Sequence, residues 1–158
     1  MQFAQAIAEG PPPPPFSGPA SRGADAPIPP EILAQPVLVI EDETLIAWML
    51  ESLLEELGFA AIETAASVAE ATAAASAIEP RLVISDINLG EGGNALDAVS
   101  QLCRGMPPRV LFVTAHADEA ALARIAATVP HYEVLAKPVD SGAFRAALLR
   151  LIAGPMQQ

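Results

Sequence analysis

From Pro36 to Ala153, short apolar runs alternate with amphipathic stretches, and the alternation predicts five strand–helix units. Strands are expected at 36–41, 60–64, 81–85, 109–113 and 132–136. Between them the apolar period lengthens from that of a strand to that of a helix. Near 44–57, Leu45, Met49, Leu53 and Leu57 line up with Ile46, Leu50 and Leu54 on an inward face, while Glu51, Glu55 and Glu56 face out. Gly58 stands where a left-handed residue stops that helix. Ser67 and Glu70 form a capping box for an alanine-rich helix ending near Ile78. Asn94 caps a helix through Cys103, and Asp118 caps one through about Val129 with Leu122, Ile125 and Ala126 inward. A last helix runs from about Asp140 to Ala153 and buries Phe144, Leu148, Leu151 and Ile152. Pro80 and Pro107–Pro108 break the chain before the third and fourth strands. Gly90, Gly92 and Gly93 predict a loop that is both compact and mobile. Alternating strands and helices make an α/β domain: a parallel (βα)5 sheet covered on both faces, spanning 36–153, with a short tail at 154–158.

Residues 1–35 break the alternation. Pro11–Pro15 is an unbroken proline run, and Pro19, Pro27, Pro29 and Pro30 follow. Such a stretch favours polyproline II and cannot build a helix or a ladder, so a disordered leader is expected, with at most one frayed turn over Met1–Glu9. With 52% hydrophobic residues but only 4% aromatic, the core must be built from Leu, Ile, Val and Ala. A net charge of −11 with eight basic residues argues against nucleic acid, whose phosphates need clustered Lys and Arg. Cys103 is the only cysteine, so no intrachain disulfide can form and a reducing compartment fits. No apolar run reaches the roughly 20 residues that span a bilayer, and the first residues lack a secretory pattern. The expectation is a soluble, cytoplasmic protein without membrane attachment.

The strand endings carry the candidate chemistry. The first strand runs into Glu41 and Asp42, the third into Asp86, the fourth into Thr114, and the fifth into Lys137 and Pro138. In an open parallel sheet these ends share one edge, where such sheets bind ligands. Each residue alone has an ordinary explanation as a cap, a charged first turn or a solvated side chain; the joint pattern does not. Clustered carboxylates repel when empty and are relieved by a hard cation such as Mg²⁺. Lys137 adds a fixed positive charge and Thr114 an adjustable hydroxyl, a set able to neutralise an in-line phosphoryl transfer. Asp86, at the centre, is the candidate nucleophile, forming an aspartyl phosphate. A cis Lys137–Pro138 bond would aim the lysine back over the edge.

The segments VLVIEDE, LVISDINLG, VLFVTAHAD and VLAKPV closely resemble the receiver domain of bacterial two-component response regulators, from Pro36 to about Ala153. The resemblance implies a flavodoxin-like sheet of strand order 2-1-3-4-5. It implies that Asp86 is the phosphoacceptor, charged by a phosphohistidine of a sensor histidine kinase or histidine phosphotransfer protein. It makes Asp42 a direct Mg²⁺ ligand, Glu41 one acting through water, and Asn88 a ligand through its backbone carbonyl. Thr114 is the switch hydroxyl, Ala115 its small neighbour, His116 the residue that tunes water access, and Lys137 the phosphate-binding lysine. The implied function is a stand-alone receiver that signals by phosphorylation-dependent protein contact. One such output is a homodimer through the face built from the fourth predicted helix, fifth strand and fifth helix.

Two departures stand out. Val134 occupies the place of the family's aromatic switch residue, and Tyr132 shares its face only about 7 Å further down the strand. Leu89-Gly90 replaces a common Met-Pro pair. Val134 also keeps open a second reading, a pseudo-receiver that binds a partner without phosphorylation. A haloacid-dehalogenase-like phosphatase would need a second aspartate where Asn88 stands, and its nucleophile would follow the first strand rather than the third.

Overall fold

Val37–Ile40 (β1), Ile62–Ala65 (β2), Leu82–Ser85 (β3), Arg109–Thr114 (β4) and Tyr132–Ala136 (β5) form one parallel sheet in the order β2-β1-β3-β4-β5. This is a computed structural model, and it describes residues 27–154. The expected proline run, the turn over Met1–Glu9 and the last residues of the tail lie outside the described residues.

β1 and β3 are buried along their whole length, as strands covered on both faces must be. Their alternate residues divide between two cores. Val37, Val39, Leu82 and Ile84 face helices Thr44–Leu57 (α2) and Ser141–Ala153 (α6), where Leu50, Leu54, Phe144 and Leu148 meet them. Leu38, Ile40 and Val83, joined by Phe112 of β4, face helices Val68–Ile78 (α3), Ala95–Leu102 (α4) and Glu119–Thr128 (α5). The small alanines Ala71, Ala75 and Ala98 fill this second core, consistent with a chain poor in aromatic rings.

The caps form where their residue types require. Ser67 Oγ accepts from the Glu70 N–H at 3.1 Å, and the Glu70 carboxylate accepts from the Ala66 N–H at 2.7 Å. Asn94, Asp118 and Asp140 each accept from a backbone N–H in the first turn of the helix they precede. Gly58, at φ +108°, ends α2 in the left-handed conformation.

Three expectations need correction. The ordered domain does not begin at residue 36. Pro30–Leu33 is a short helix (α1), Ile28 is buried, and Ile32 and Leu33 pack on the α2–α6 core. These apolar residues close that core at the end where the strands begin. Leu33 lies so close to Gly58 that a Cβ there would meet its Cδ1 at 3.1 Å. In α2, Leu45 is 80% exposed, because the buried stripe runs through Ile46, Leu50 and Leu54 and Leu45 falls beside it. In α5 the inward stripe is Ala121, Ile125 and then Val129, spaced by four, which turns Leu122 and Ala126 to solvent. No helix among the described residues is long and apolar enough to cross a membrane.

A chain beginning at residue 36 should be less stable to urea than one beginning at residue 27 by roughly 3–6 kcal/mol, the scale for one buried and two half-buried aliphatic side chains. Equilibrium unfolding of the two chains measures it.

Candidate functional site

The sheet ladder continues one residue beyond the strands and fixes the backbone of the site. The Glu41 N–H donates to the Ala65 carbonyl, that of Asp86 to Ile40, and that of Lys137 to Thr114, each at 2.9 Å. The register Ile40↔Ser85 sets Glu41 level with Asp86, and Thr114↔Ala136 sets Lys137 one residue past Thr114. The strand endings therefore meet at one edge, as the pattern of the chain predicts.

Glu41 and Asp86 are buried, and the Lys137 ammonium lies between them, 3.0 Å from Glu41 Oε2 and 2.9 Å from Asp86 Oδ2. The other Asp86 oxygen, Oδ1, accepts from the Ile87 N–H at 2.6 Å, with the Asn88 N–H at 3.4 Å. Glu41 Oε1 accepts from the Glu43 N–H at 3.2 Å. Burial pushes the Glu41 carboxyl above its ordinary range, and the nearby Asp86 charge adds to this; Lys137 and the Glu43 N–H pull back only part of the way. Burial alone would lower the Lys137 ammonium, but its hydrogen bonds and charge attraction to Asp86 and Glu41 outweigh that and raise it. The lysine is held charged, and Glu41 is the strained partner.

Asp42 completes an acidic group. One oxygen from each of Glu41, Asp42 and Asp86 lies within 4.8 Å of the other two. Ligands on opposite sides of a Mg²⁺ ion lie about 4.2 Å apart, so small side-chain adjustments would let Asp42 and Asp86 reach one octahedral ion, with Glu41 near enough to act through a bound water. The all-oxygen, mostly anionic donor set suits a hard divalent cation.

Asn88 starts a loop that is tied down more firmly than its glycines predict. Its Oδ1 accepts from the Gly90 N–H at 2.9 Å, the Leu89 N–H donates to the Gly93 carbonyl at 3.0 Å, and Leu89 is buried. Gly90 has φ +59°, and a Cβ there would come 3.4 Å from Asp42 Oδ2, so the loop folds directly over the acidic group. The Thr114 hydroxyl donates to the His116 carbonyl at 3.2 Å. Lys137–Pro138 is cis. Val134 packs against the α3–α5 core, and Tyr132 pairs with Val110, four residues below Thr114. That is about 13 Å down the strand, too far for Tyr132 to fill the space beside Thr114.

A cleft of about 680 Å³ opens above Asp86, lined also by Asn88, Thr114, Ala115, His116 and Lys137. Arg124 lines it too, a residue that periodicity leaves unmarked because it sits on the exposed side of α5. Likewise Trp48, 67% exposed on α2, carries no signal in the apolar pattern beyond being off the buried stripe.

Residues 37–149 match the response regulator receiver domain family. The chain is 41% identical over 87 residues to the phyllosphere-induced regulator PhyR of Methylorubrum extorquens, covering 54% of this chain and 33% of that protein. It spans between 33% and 60% of the length of the curated relatives it matches. The solution structure of the receiver domain of Erythrobacter litoralis PhyR superposes with a TM-score of 0.66 at 30% identity, over 79% of this chain and 97% of that one. A response regulator from Burkholderia pseudomallei, solved with a phosphorylated aspartic acid, calcium ion and citrate, superposes with a TM-score of 0.64 at 29% identity, over 72% of this chain and 66% of that one.

Burial raises the Glu41 carboxyl in the cation-free chain, so its charge is a cost to the fold at neutral pH. Glu41→Gln should therefore raise cation-free stability by about 1 kcal/mol, the usual scale for relieving a burdened site, while weakening Mg²⁺ binding. The stability gain should shrink as pH falls and the native carboxyl takes up its proton. Urea unfolding across pH and calorimetric Mg²⁺ titration check the two halves.

Proposed function

The chain belongs to the response regulator receiver domain family, and on that premise we propose that it accepts a phosphoryl group on Asp86 and signals by phosphorylation-dependent protein contact. The donor is a phosphohistidine on a sensor histidine kinase or histidine phosphotransfer protein. The observation that carries this reading is the Lys137 ammonium held between Asp86 and Glu41, with Asp42 beside them.

In the proposed reaction a carboxylate oxygen of Asp86 attacks phosphorus. The bond from phosphorus to the histidine nitrogen breaks, and its electron pair leaves with the imidazole. The product is a mixed anhydride, the aspartyl phosphate. Lys137 already touches the attacking carboxylate and stays beside the phosphoryl oxygens as charge moves onto the acceptor. The Thr114 hydroxyl turns from the His116 carbonyl toward a phosphoryl oxygen, and Ala115 leaves the approach open. His116 lines the cleft through which hydrolytic water arrives. Asp42, Asp86 and the Asn88 carbonyl would hold Mg²⁺ directly and Glu41 through water; the ion would supply further neutralisation of the phosphoryl oxygens. The chemistry is at most self-catalysed phosphorylation and dephosphorylation. The phosphorylated aspartic acid of the Burkholderia pseudomallei relative supports the reading.

Two exposed surfaces suit the protein contacts. Leu45 and Trp48, 80% and 67% exposed, stand at the start of α2 beside the acidic edge, an apolar patch for the helix that presents a phosphohistidine. Leu122 and Tyr132 mark the face of α5, β5 and α6, suited to an output partner or a second copy of the chain.

Acetyl phosphate with Mg²⁺ should add the mass of one phosphoryl group to the wild type and none to Asp86→Asn, read by intact mass spectrometry. Normal incorporation in Asp86→Asn sinks the assignment, and full partner affinity in that variant favours the phosphorylation-independent reading. Trp48→Ala should slow transfer from a kinase by roughly tenfold, the scale of one interface anchor, and leave acetyl phosphate labelling unchanged.

A further inference from the structure

Arg124 occupies an unusual place in the cleft. It extends from α5 and reaches Asp97, on the first turn of α4, with Nη2 3.7 Å from Oδ1. That distance is long for an ion pair. The two side chains are 56% and 65% exposed, so the pair is worth little and exchanges readily. Yet Arg124 also lines the same cleft as Asp86, Thr114 and Lys137.

The charge inventory of the cleft gives Arg124 a task. A phosphoryl group brings two negative charges into a site whose ammonium is already divided between Glu41 and Asp86. Of the side chains lining the cleft, the other permanently charged cation is Arg124. Its planar fork matches two phosphoryl oxygens, a geometry an ammonium cannot offer. Its present partner, a single exposed carboxylate at long range, competes weakly with a dianion.

We propose that Arg124 is a second cationic ligand for the phosphoryl group, exchanging Asp97 for the oxygens of the donor and then of the aspartyl phosphate. This rests on Asp86 being the acceptor. Because Asp97 belongs to α4 and Arg124 to α5, the exchange also unfastens the two helices from each other. It provides a route for the signal out of the cleft that does not use an aromatic switch beside Thr114. With acetyl phosphate as donor, an Asp86 oxygen attacks phosphorus, the phosphorus–oxygen bond to the acetyl group breaks, and acetate leaves with the electron pair.

The test is the rate of phosphoryl incorporation against acetyl phosphate concentration, with Mg²⁺ saturating. Arg124→Gln should raise the half-saturating concentration about tenfold, the scale of one charge-assisted contact. Arg124→Lys should recover part of that loss. Asp97→Asn should move the opposite way or not at all, because it frees the arginine. In the phosphorylated wild type, the Arg124 side-chain N–H resonance should shift by NMR, and Asp97→Asn should bring that resonance closer to its phosphorylated position. The proposal is overturned if Arg124→Gln matches the wild type, or if Arg124→Gln and Asp97→Asn weaken the site equally, the mark of a merely structural pair. If the wild type takes no phosphoryl group on Asp86 at all, the acceptor assignment itself has failed, and the two failures are told apart by that first measurement.

Discussion

One ammonium shared by two buried carboxylates is the interaction on which the site depends. Lys137 comes from the end of β5, Glu41 from the end of β1 and Asp86 from the end of β3, and their approach is set by the sheet ladder rather than by flexible loops. Two anions and one cation leave the buried group with unbalanced negative charge, and Asp42 adds to it from the surface. Such a cluster is poorly satisfied by protein alone. It is suited to a divalent cation and to chemistry in which negative charge arrives and departs. The same imbalance makes the site a cost to the fold, borne by two aliphatic cores that pack on either face of the sheet.

Much of this architecture was legible in the amino-acid sequence, for identifiable reasons. The central strands announce themselves because a sheet buried on both faces demands continuous aliphatic runs, and the runs of β1, β3 and β4 give way at the edge to Glu41, Asp86 and Thr114. The caps at Ser67, Asn94 and Asp118 are local chemistry and appear as such. What escaped depends on tertiary context. Ile28, Ile32 and Leu33 lie among prolines, where periodicity is too short to register, and only the open end of the α2–α6 core explains their burial. Leu45 and Leu122 sit beside the apolar stripes, and a rotation of one residue position decides whether such a side chain faces the core or water. Arg124 looks like any exposed helical arginine until the cleft it lines is drawn.

The two departures from the family pattern flank the site: Leu89-Gly90 in the loop over Asp42, and Val134 on β5. The groups proposed to hold a phosphoryl oxygen or a cation lie together at the edge, whereas the strand position that would carry an aromatic ring holds Val134, packed into the core. Tyr132 lies too far down its strand to take that place. The loop from Asn88 to Asn94, closed over Asp42 by its own hydrogen bonds, makes the cation side of the site the better braced half.

The seating of α1 has a practical consequence. Its residues close the core where the strands begin, whereas Asp86 follows the last residue of β3, so the two lie at opposite ends of the sheet, about 13 Å of strand apart. Anything joined ahead of residue 27, whether an affinity tag, a fluorophore or another protein, therefore enters the domain at the pole facing away from the acidic edge. An amino-terminal fusion leaves the acidic edge open, and surface immobilisation by that end presents Asp86 outward.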